Sequence, residues 1–108
     1  MKSYYVYILQ CSDGSYYTGV TNDIERRVYE HQEGLIENCY THNKRPIKLR
    51  HVEESSDIGA AISREKQIKG WTRKKKEALI AGDYEMLLQL ARKHPSTEPV
   101  LSLPKGSG

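Results

Sequence analysis

Residues 5–31, YVYILQCSDGSYYTGVTNDIERRVYEH, contain the signals that decide the fold of this chain. Tyr and β-branched residues dominate Tyr4–Cys11 and again Tyr16–Thr21, a composition that favours strands. Between the two segments lies Asp13-Gly14, which is a strong hairpin signal. The sequence therefore predicts two adjacent antiparallel strands, and the two-residue period of a strand places alternate tyrosines on one face of that hairpin.

The helix predicted after the hairpin carries two polar residues near its apolar face. Asn22 is the predicted cap, and Ile24 and Val28 begin the apolar stripe. At about 100° per residue, His31 falls inside that stripe and Arg27 falls at its edge. Such departures from amphipathic patterning concentrate at functional or strained sites.

A second polar residue on an apolar face occurs in the helix predicted from Ser55–Asp57 to about Lys69. Glu65 follows Ala61 by one helical turn and precedes Ile68 by three residues, so it lies within the apolar stripe. A carboxylate on a buried face costs several kcal/mol unless it is paired or bound to a metal ion. The sequence therefore predicts an inward-facing acid in a second helix.

The remaining segments complete a single predicted domain over residues 1–93. Ile47–Glu53 alternates apolar and polar residues and predicts a third strand, after a polar loop. Two more helices are predicted, one over Arg73–Ala81 and one capped by Asp83. Residues 94–108 are rich in Pro, Ser and Gly, so we expect a flexible C-terminal tail.

Composition argues against a disulfide-rich, secreted or membrane-spanning protein. The chain has 108 residues and a net charge of +3, which suits one ordinary domain. Cys11 and Cys39 are too few for a disulfide framework and lack the spacing of a zinc site. The N-terminus does not resemble a signal peptide, and no segment is long and apolar enough to span a membrane. We therefore expect a cytoplasmic protein.

Basic residues cluster in the segment 64–76. They predict a nucleic-acid-binding surface suited to a phosphate backbone, although a charge run of this kind also occurs as an ordinary solvated face. The cluster consists of Arg64, Lys66, Lys69, Arg73, Lys74, Lys75 and Lys76.

The polar outliers together form a set that phosphodiester cleavage can use: Tyr7, Tyr17, Arg27, His31 and Glu65. They supply two phenols, a fixed cation, an imidazole and a hard anionic ligand for one divalent ion. Each also has a structural interpretation. The tyrosines suit a half-buried sheet, the histidine suits a hydrogen-bonded core, the arginine suits a surface ion pair with Asp23 or Glu30, and the glutamate suits a buried pair with that arginine.

The order of these residues resembles the GIY-YIG nuclease domain, particularly its small stand-alone bacterial members. The two tripeptides of the family correspond to Tyr5-Val6-Tyr7 and Tyr17-Thr18-Gly19, with Tyr5 and Thr18 in place of Gly and Ile. Arg27 and His31 match the helix that follows, and Arg64–Trp71 resembles the segment with the metal-binding Glu. The resemblance covers about residues 3–93.

The resemblance implies an α/β (α+β) fold, a small three-stranded antiparallel sheet flanked by helices, and a metal-dependent endonuclease that cuts DNA. By analogy Glu65 holds Mg²⁺ or Mn²⁺, Arg27 holds the phosphate, and Tyr7 or Tyr17 is the base or its helper, with Tyr7 favoured. His31 orients a phenol or the water. His42 in the polar loop is a candidate for an additional active-site group.

The expected partners are DNA, in a branched or damaged form, and a protein that supplies targeting, in DNA repair or recombination. One alternative is a non-catalytic nucleic-acid-binding module that uses the basic segment. Another is a protein-interaction domain that keeps the fold without the chemistry.

Overall fold

Three strands and four helices make up the described part of the chain, which comprises residues 2–37 and 39–93 of a computed structural model. The predicted tail over residues 94–108 lies outside the described residues. In chain order the elements are β1 (Tyr4–Gln10), β2 (Tyr16–Thr21), α1 (Ile24–Gln32), β3 (Lys48–Ser55), α2 (Ile58–Lys69), α3 (Arg73–Ala81) and α4 (Tyr84–Lys93). A first compact unit ends at Trp71 and a second begins at Thr72.

The sheet has the strand order β2-β1-β3, and both pairs are antiparallel. The turn between β1 and β2 closes with a 2.8 Å hydrogen bond from the Cys11 amide to the Ser15 carbonyl. Gly14 in that turn has φ 88°, a left-handed conformation that glycine adopts without steric cost. The predicted hairpin and the predicted fold class, a three-stranded antiparallel sheet flanked by helices, are confirmed.

Strand register places α1 and α2 on opposite faces of the sheet. Tyr7 pairs with Gly19, whereas its neighbour Val6 pairs with Glu53 and points to the other face. On the Tyr7 face, α1 contributes Val28 to a cluster built around Tyr7 and Leu9. On the other face, Glu53 forms an ion pair with a side chain of α2.

Burial follows this three-layer arrangement. Hydrophobic side chains at 2% exposure or less occur in β1, in α2 and in the segment that enters β3: Val6, Tyr7, Ile8, Leu9, Ile47, Ala61 and Ile68. Because the four central side chains of β1 are buried and alternate between its two faces, both faces of the central strand belong to the core. Fully buried groups on both faces hold the two helices at fixed positions on the sheet.

Local signals place the helix termini with small errors. The predicted cap at Asn22 is wrong by one residue, because Asp23 has the extended backbone and its carboxylate accepts from the Arg26 amide. Asp57 caps α2 in the same way, at 2.7 Å from the Ala60 amide. The predicted third strand over residues 47–53 is displaced, since Lys48–Ser55 forms it.

The second unit contains α3 and α4, which pack against each other. Thr72 caps α3, and Gly82 ends it with φ 73°. The Asp83 carboxylate accepts from the Met86 amide at the start of α4, as predicted. Within the described residues, every helix falls short of the length and apolar character needed to cross a bilayer.

Candidate active site

Tyr7 and His31 form a hydrogen-bonded pair inside the first unit. The Tyr7 phenol oxygen lies 3.1 Å from His31 Nε2, and the two residues are 0% and 1% exposed. The Tyr17 ring completes an aromatic group, with its centroid 6.3 Å from the Tyr7 ring and 5.2 Å from the imidazole. The prediction that His31 faces inward is therefore confirmed, although its hydrogen-bonded burial also fits a core histidine.

Gly19 makes room for this pair. The Tyr7 ring lies over the Gly19 backbone, where a Cβ atom would come 2.5 Å from the phenol oxygen and 2.6 Å from Cζ. Real Cβ atoms do not approach other atoms this closely, so a larger residue would displace the phenol. The last residue of the second tripeptide must therefore be glycine, because any side chain at this position would collide with the Tyr7 ring.

Arg27 lies on α1 near the Tyr7 phenol. Its guanidinium lies close enough to Tyr7 to act on that group's pKa. Nε forms a 3.2 Å ion pair with Glu30, and the side chain is 36% exposed. The predicted surface pairing with Glu30 therefore exists. The same side chain remains partly accessible to solvent.

Glu65 faces inward from α2, as its position in the apolar stripe predicted. It is 9% exposed. Burial is the main cause that raises the pKa of Tyr7, and the Glu65 charge adds a small contribution in the same direction. The ion-pair partner of Glu65 is Lys69, with Nζ 2.7 Å from Oε2, and the proposed pairing with Arg27 is not formed. Lys69 is 55% exposed, which leaves the pair open to solvent on one side.

The position of Glu65 depends on its neighbour Arg64. Two bonds join the Arg64 guanidinium to Glu53 of β3, Nε–Oε1 at 2.9 Å and Nη2–Oε2 at 3.0 Å. This two-point contact fixes α2 on the sheet because a guanidinium and a carboxylate match in plane and spacing. A surface role for Arg64 in DNA binding would compete with this contact.

Burial sets the protonation states of the central pair. Burial raises the pKa of Tyr7 above its ordinary value, and the Arg27 charge opposes that shift only in part. Burial also lowers the pKa of His31, and Arg27 adds to the effect. The pair therefore holds a phenol and a neutral imidazole at pH 7.

The donor set fits one divalent ion held by a single carboxylate. Mg²⁺ commonly binds one or two carboxylates and keeps several waters. Glu65 is a nearly buried carboxylate of this kind. No group of three or more His, Cys, Asp or Glu suited to a metal occurs among residues 2–37 and 39–93. The site therefore suits a weakly held ion with water ligands, and a dedicated protein cage does not occur there.

Sequence reasoning predicted the polar loop before β3 but missed that this loop covers the aromatic group. Tyr40 stacks on Tyr17 with an interplanar angle of 15°. Thr41 is 1% exposed, and its hydroxyl oxygen lies 2.7 Å from His31 Nδ1. Cys39 lies 3.9 Å from the same nitrogen. No periodic pattern marks these residues, because their contacts exist only once the loop has folded over α1.

The additional candidate His42 lies elsewhere in this loop. It lines a cleft of about 480 Å³ with Gln32, Asn43, Arg45 and Pro46. None of the five principal candidates lines that cleft. The structure therefore brings together the two tyrosines, Arg27 and His31, with Glu65 in electrostatic range, and it leaves His42 apart from them.

The predicted basic surface is smaller than the sequence suggested. Lys75 is only 6% exposed. Arg64, Lys69 and Arg73 are held in ion pairs with glutamates. Lys66 and Lys74 are exposed.

Comparisons with known proteins identify the family of this chain. The GIY-YIG catalytic domain family matches residues 3–78. A UPF0213 protein of Haloquadratum walsbyi is 50% identical over 76 residues, which cover 70% of this chain and 84% of the relative. A UPF0213 protein of Syntrophus aciditrophicus is 42% identical over 87 residues, 81% of this chain and 100% of the relative.

Solved structures are similar as well. Protein EF2693 of E. faecalis, determined by solution NMR, has a TM-score of 0.54 at 36% identity and covers 78% of this chain and 88% of its own. The UPF0213 protein BH0048 of Bacillus halodurans has a TM-score of 0.50 at 37% identity, with 75% and 85% covered. Family match, relatives and site geometry together lead to one conclusion: this chain belongs to the GIY-YIG catalytic domain family.

Proposed function

We propose that this protein is a metal-dependent endonuclease that hydrolyses DNA phosphodiester bonds at the site formed by Tyr7, Arg27, His31 and Glu65. The observation that carries the proposal is the Tyr7 phenol, which bonds to His31 and shares an electrostatic environment with Arg27 and Glu65. A buried assembly of base, cation and acid is unusual in a protein that only binds nucleic acid, because such a protein needs exposed cations instead.

Arg27 is the proposed phosphate ligand. Its side chain is partly exposed and its planar guanidinium can contact two phosphate oxygens at once. The ion pair with Glu30 orients the guanidinium before substrate arrives. Such preorganised charge stabilises the negative charge that builds up on the phosphoryl oxygens.

Tyr7 and His31 are the proposed proton acceptors. Direct formation of a phenolate by transfer to imidazole would cost about 5 kcal/mol from the reference pKa values of about 10 and about 6.5, and the shifts in this site increase the difference. A coupled transfer avoids that cost. The proton of the attacking water passes to the Tyr7 oxygen while the phenolic proton passes to His31 Nε2.

The bond changes follow from that transfer. The water oxygen forms a bond to phosphorus, and the bond from phosphorus to the leaving sugar oxygen breaks. The leaving oxygen recovers a proton from solvent, and His31 releases its proton afterwards. Because Tyr7 is fully buried in the free protein, the mechanism requires that substrate binding give the attacking water access to the phenol oxygen. A divalent ion held by Glu65 would stabilise the negative charge on the leaving oxygen.

The test is cleavage of labelled single-stranded, duplex and branched DNA with Mg²⁺ or Mn²⁺. A Glu65→Gln variant keeps the shape of the side chain and removes its charge, so we expect cleavage to be lost. Glu77→Gln is a matched control, because Glu77 is also a helical carboxylate in an ion pair, with Arg73 at 3.0 Å. Equal cleavage by the parent and Glu65→Gln would show that the site is assigned wrongly.

The two tyrosines are separated by a second pair of variants. Tyr7→Phe removes the proposed base, and we expect cleavage to fall by about 10²–10⁴-fold. Tyr17→Phe removes a hydroxyl that contacts Cys39, and we expect a smaller effect. A larger loss from Tyr17→Phe would transfer the role of base to that residue.

A non-catalytic DNA-binding module remains the second candidate, and its observation is the pair of exposed cations Lys66 and Lys74. It predicts binding with a steep salt dependence, no cleavage with either metal ion, and no effect of Glu65→Gln.

A further inference from the structure

Thr41 lies behind His31, on the side of the imidazole away from Tyr7. Its hydroxyl oxygen is 2.7 Å from His31 Nδ1. The same hydroxyl donates to Cys39 Sγ at 3.5 Å. Thr41 is 1% exposed, so solvent cannot replace either contact. The fold therefore places one buried hydroxyl between the imidazole and a sulfur acceptor.

The direction of these hydrogen bonds determines the tautomer of His31. A hydroxyl that donates its single proton to Cys39 can only accept from the imidazole. Nδ1 must then carry the ring proton, and Nε2 keeps its lone pair. That lone pair faces the Tyr7 phenol oxygen 3.1 Å away, so the phenol donates to the imidazole. In the opposite tautomer, Nε2–H would point at the phenol and could not accept its proton.

Cys39 is a favourable acceptor for the Thr41 proton. Burial acts to raise the pKa of the thiol, but hydrogen bonds from Thr41, Tyr17 and the backbone amide of Tyr40 bring it below its ordinary value. These donors converge on the sulfur and favour negative charge there. The Thr41 hydroxyl therefore directs its proton toward Cys39 Sγ and away from His31.

We infer that Thr41 is a positioning residue, which holds neutral His31 in the Nδ1–H tautomer and so keeps Nε2 free to accept the Tyr7 proton. The inference rests on the proposed function for its catalytic consequence, while the tautomer itself is a property of the free protein. Outer hydrogen-bond partners of imidazole ligands have comparable roles, and their loss costs about 10–100-fold in activity or affinity.

The first test measures the tautomer directly, without DNA or metal. In protein labelled with ¹⁵N-histidine, the shifts of Nδ1 and Nε2 report which nitrogen is protonated, and a His31→Gln variant assigns the signals. We expect the Nδ1–H form in the parent and in Thr41→Ser, which keeps the hydroxyl. We expect loss of that preference in Thr41→Val. An unchanged tautomer in Thr41→Val would overturn the inference.

Thr18→Val is the matched control. Thr18 is 2% exposed, and its hydroxyl has no hydrogen-bond partner among the described residues. It pairs with Ile8 and points to the sheet face opposite Tyr7, so the same chemical change there should leave His31 untouched. A tautomer shift in Thr18→Val would show that general loosening of the core, and not the lost Thr41 bond, changes His31.

The second test concerns cleavage. We expect Thr41→Val to lower single-turnover cleavage by about 10–100-fold and Thr41→Ser to restore it. If the tautomer changes in Thr41→Val and cleavage does not, the catalytic part of the inference is wrong. If no form of the protein cuts DNA, the proposed function fails while the tautomer result still decides the role of Thr41. If Thr41→Val does not fold, the parent's tautomer still decides, because an Nε2–H parent contradicts the inference.

Discussion

Gly19→Ala should damage both the fold and the proposed site, and its effect follows from the space around the Tyr7 ring. The new Cβ would lie 2.5 Å from the phenol oxygen and 2.6 Å from Cζ, whereas ordinary carbon contacts begin near about 3.5 Å. The ring must therefore move by about 1 Å. Tyr7 is fully buried and hydrogen-bonded to His31, so it has no free direction in which to move.

The magnitude combines two opposing effects. Overpacking of a dense core costs about 1–3 kcal/mol. Replacing glycine restricts the unfolded chain and recovers about 0.4–1 kcal/mol. We expect a net loss of about 1–2 kcal/mol in the free energy of unfolding, which lowers the melting temperature by about 5–15 °C in a domain of this size. A misplacement of about 1 Å in the site should reduce cleavage by about 10²-fold.

The assay compares thermal unfolding and single-turnover DNA cleavage, with cleavage measured well below the melting temperature of every variant. Gly70→Ala is the matched control, because its Cβ would lie 3.7 Å from the nearest atom, the Gln67 carbonyl oxygen, and its φ is −82°. We expect that control to unfold at or above the parent's temperature and to cleave normally. Parent-like stability and cleavage in Gly19→Ala would refute the argument that this glycine seats the phenol.

Four further predictions follow from single side chains. Arg27→Lys should lower cleavage by about 10²-fold in single-turnover assays, since an ammonium cannot contact two phosphate oxygens in one plane; parent-like rates would exclude the phosphate role. Because burial lowers the pKa of His31, the unfolded state binds protons more readily, and the free energy of unfolding should fall as pH drops below about 6.5; melting curves should show a weaker pH dependence in His31→Gln. Lys69→Met should strengthen Mn²⁺ binding by about 1.5–5-fold in calorimetry, because it removes an exposed competitor of Glu65, and unchanged affinity would contradict that competition. Lys74→Glu should reduce the salt dependence of DNA binding by at least about one phosphate contact, and an unchanged slope would exclude this lysine from the interface.

Several features of the fold could be predicted because their causes are local. The turn at Asp13-Gly14 fixes the hairpin, and the alternation in β1 and β2 fixes which tyrosines share a face. Helical periodicity alone placed His31 and Glu65 on inner faces, since a residue within the apolar stripe lies on the side of the helix that packs against the core. Each of these features depends on residues that are close together in the chain, so it can be predicted from the sequence.

Other features depended on residues far apart in the chain. Glu65 pairs with Lys69 one turn away on α2. The alternative pairing with Arg27 does not form, because α1 and α2 lie on opposite faces of the sheet. The burial of Lys75 removes a charge that composition alone assigns to the surface. Ile58 and Ile62 continue the apolar pattern of α2 but are 44% and 38% exposed, because the inward face of that helix is narrower than its apolar stripe.

The amino-acid sequence by itself determined the strand pairing, the helix positions and the polar residues that face inward, because these follow from turns and from side-chain periods of 2 and about 3.6 residues. Tertiary structure alone decided which polar groups from different elements meet. Thr41 reaches His31 only because the loop after α1 folds back over the aromatic group, and Gly19 matters only because Tyr7 lies across it. Contacts of this kind depend on the packing of whole elements, and no local pattern encodes them.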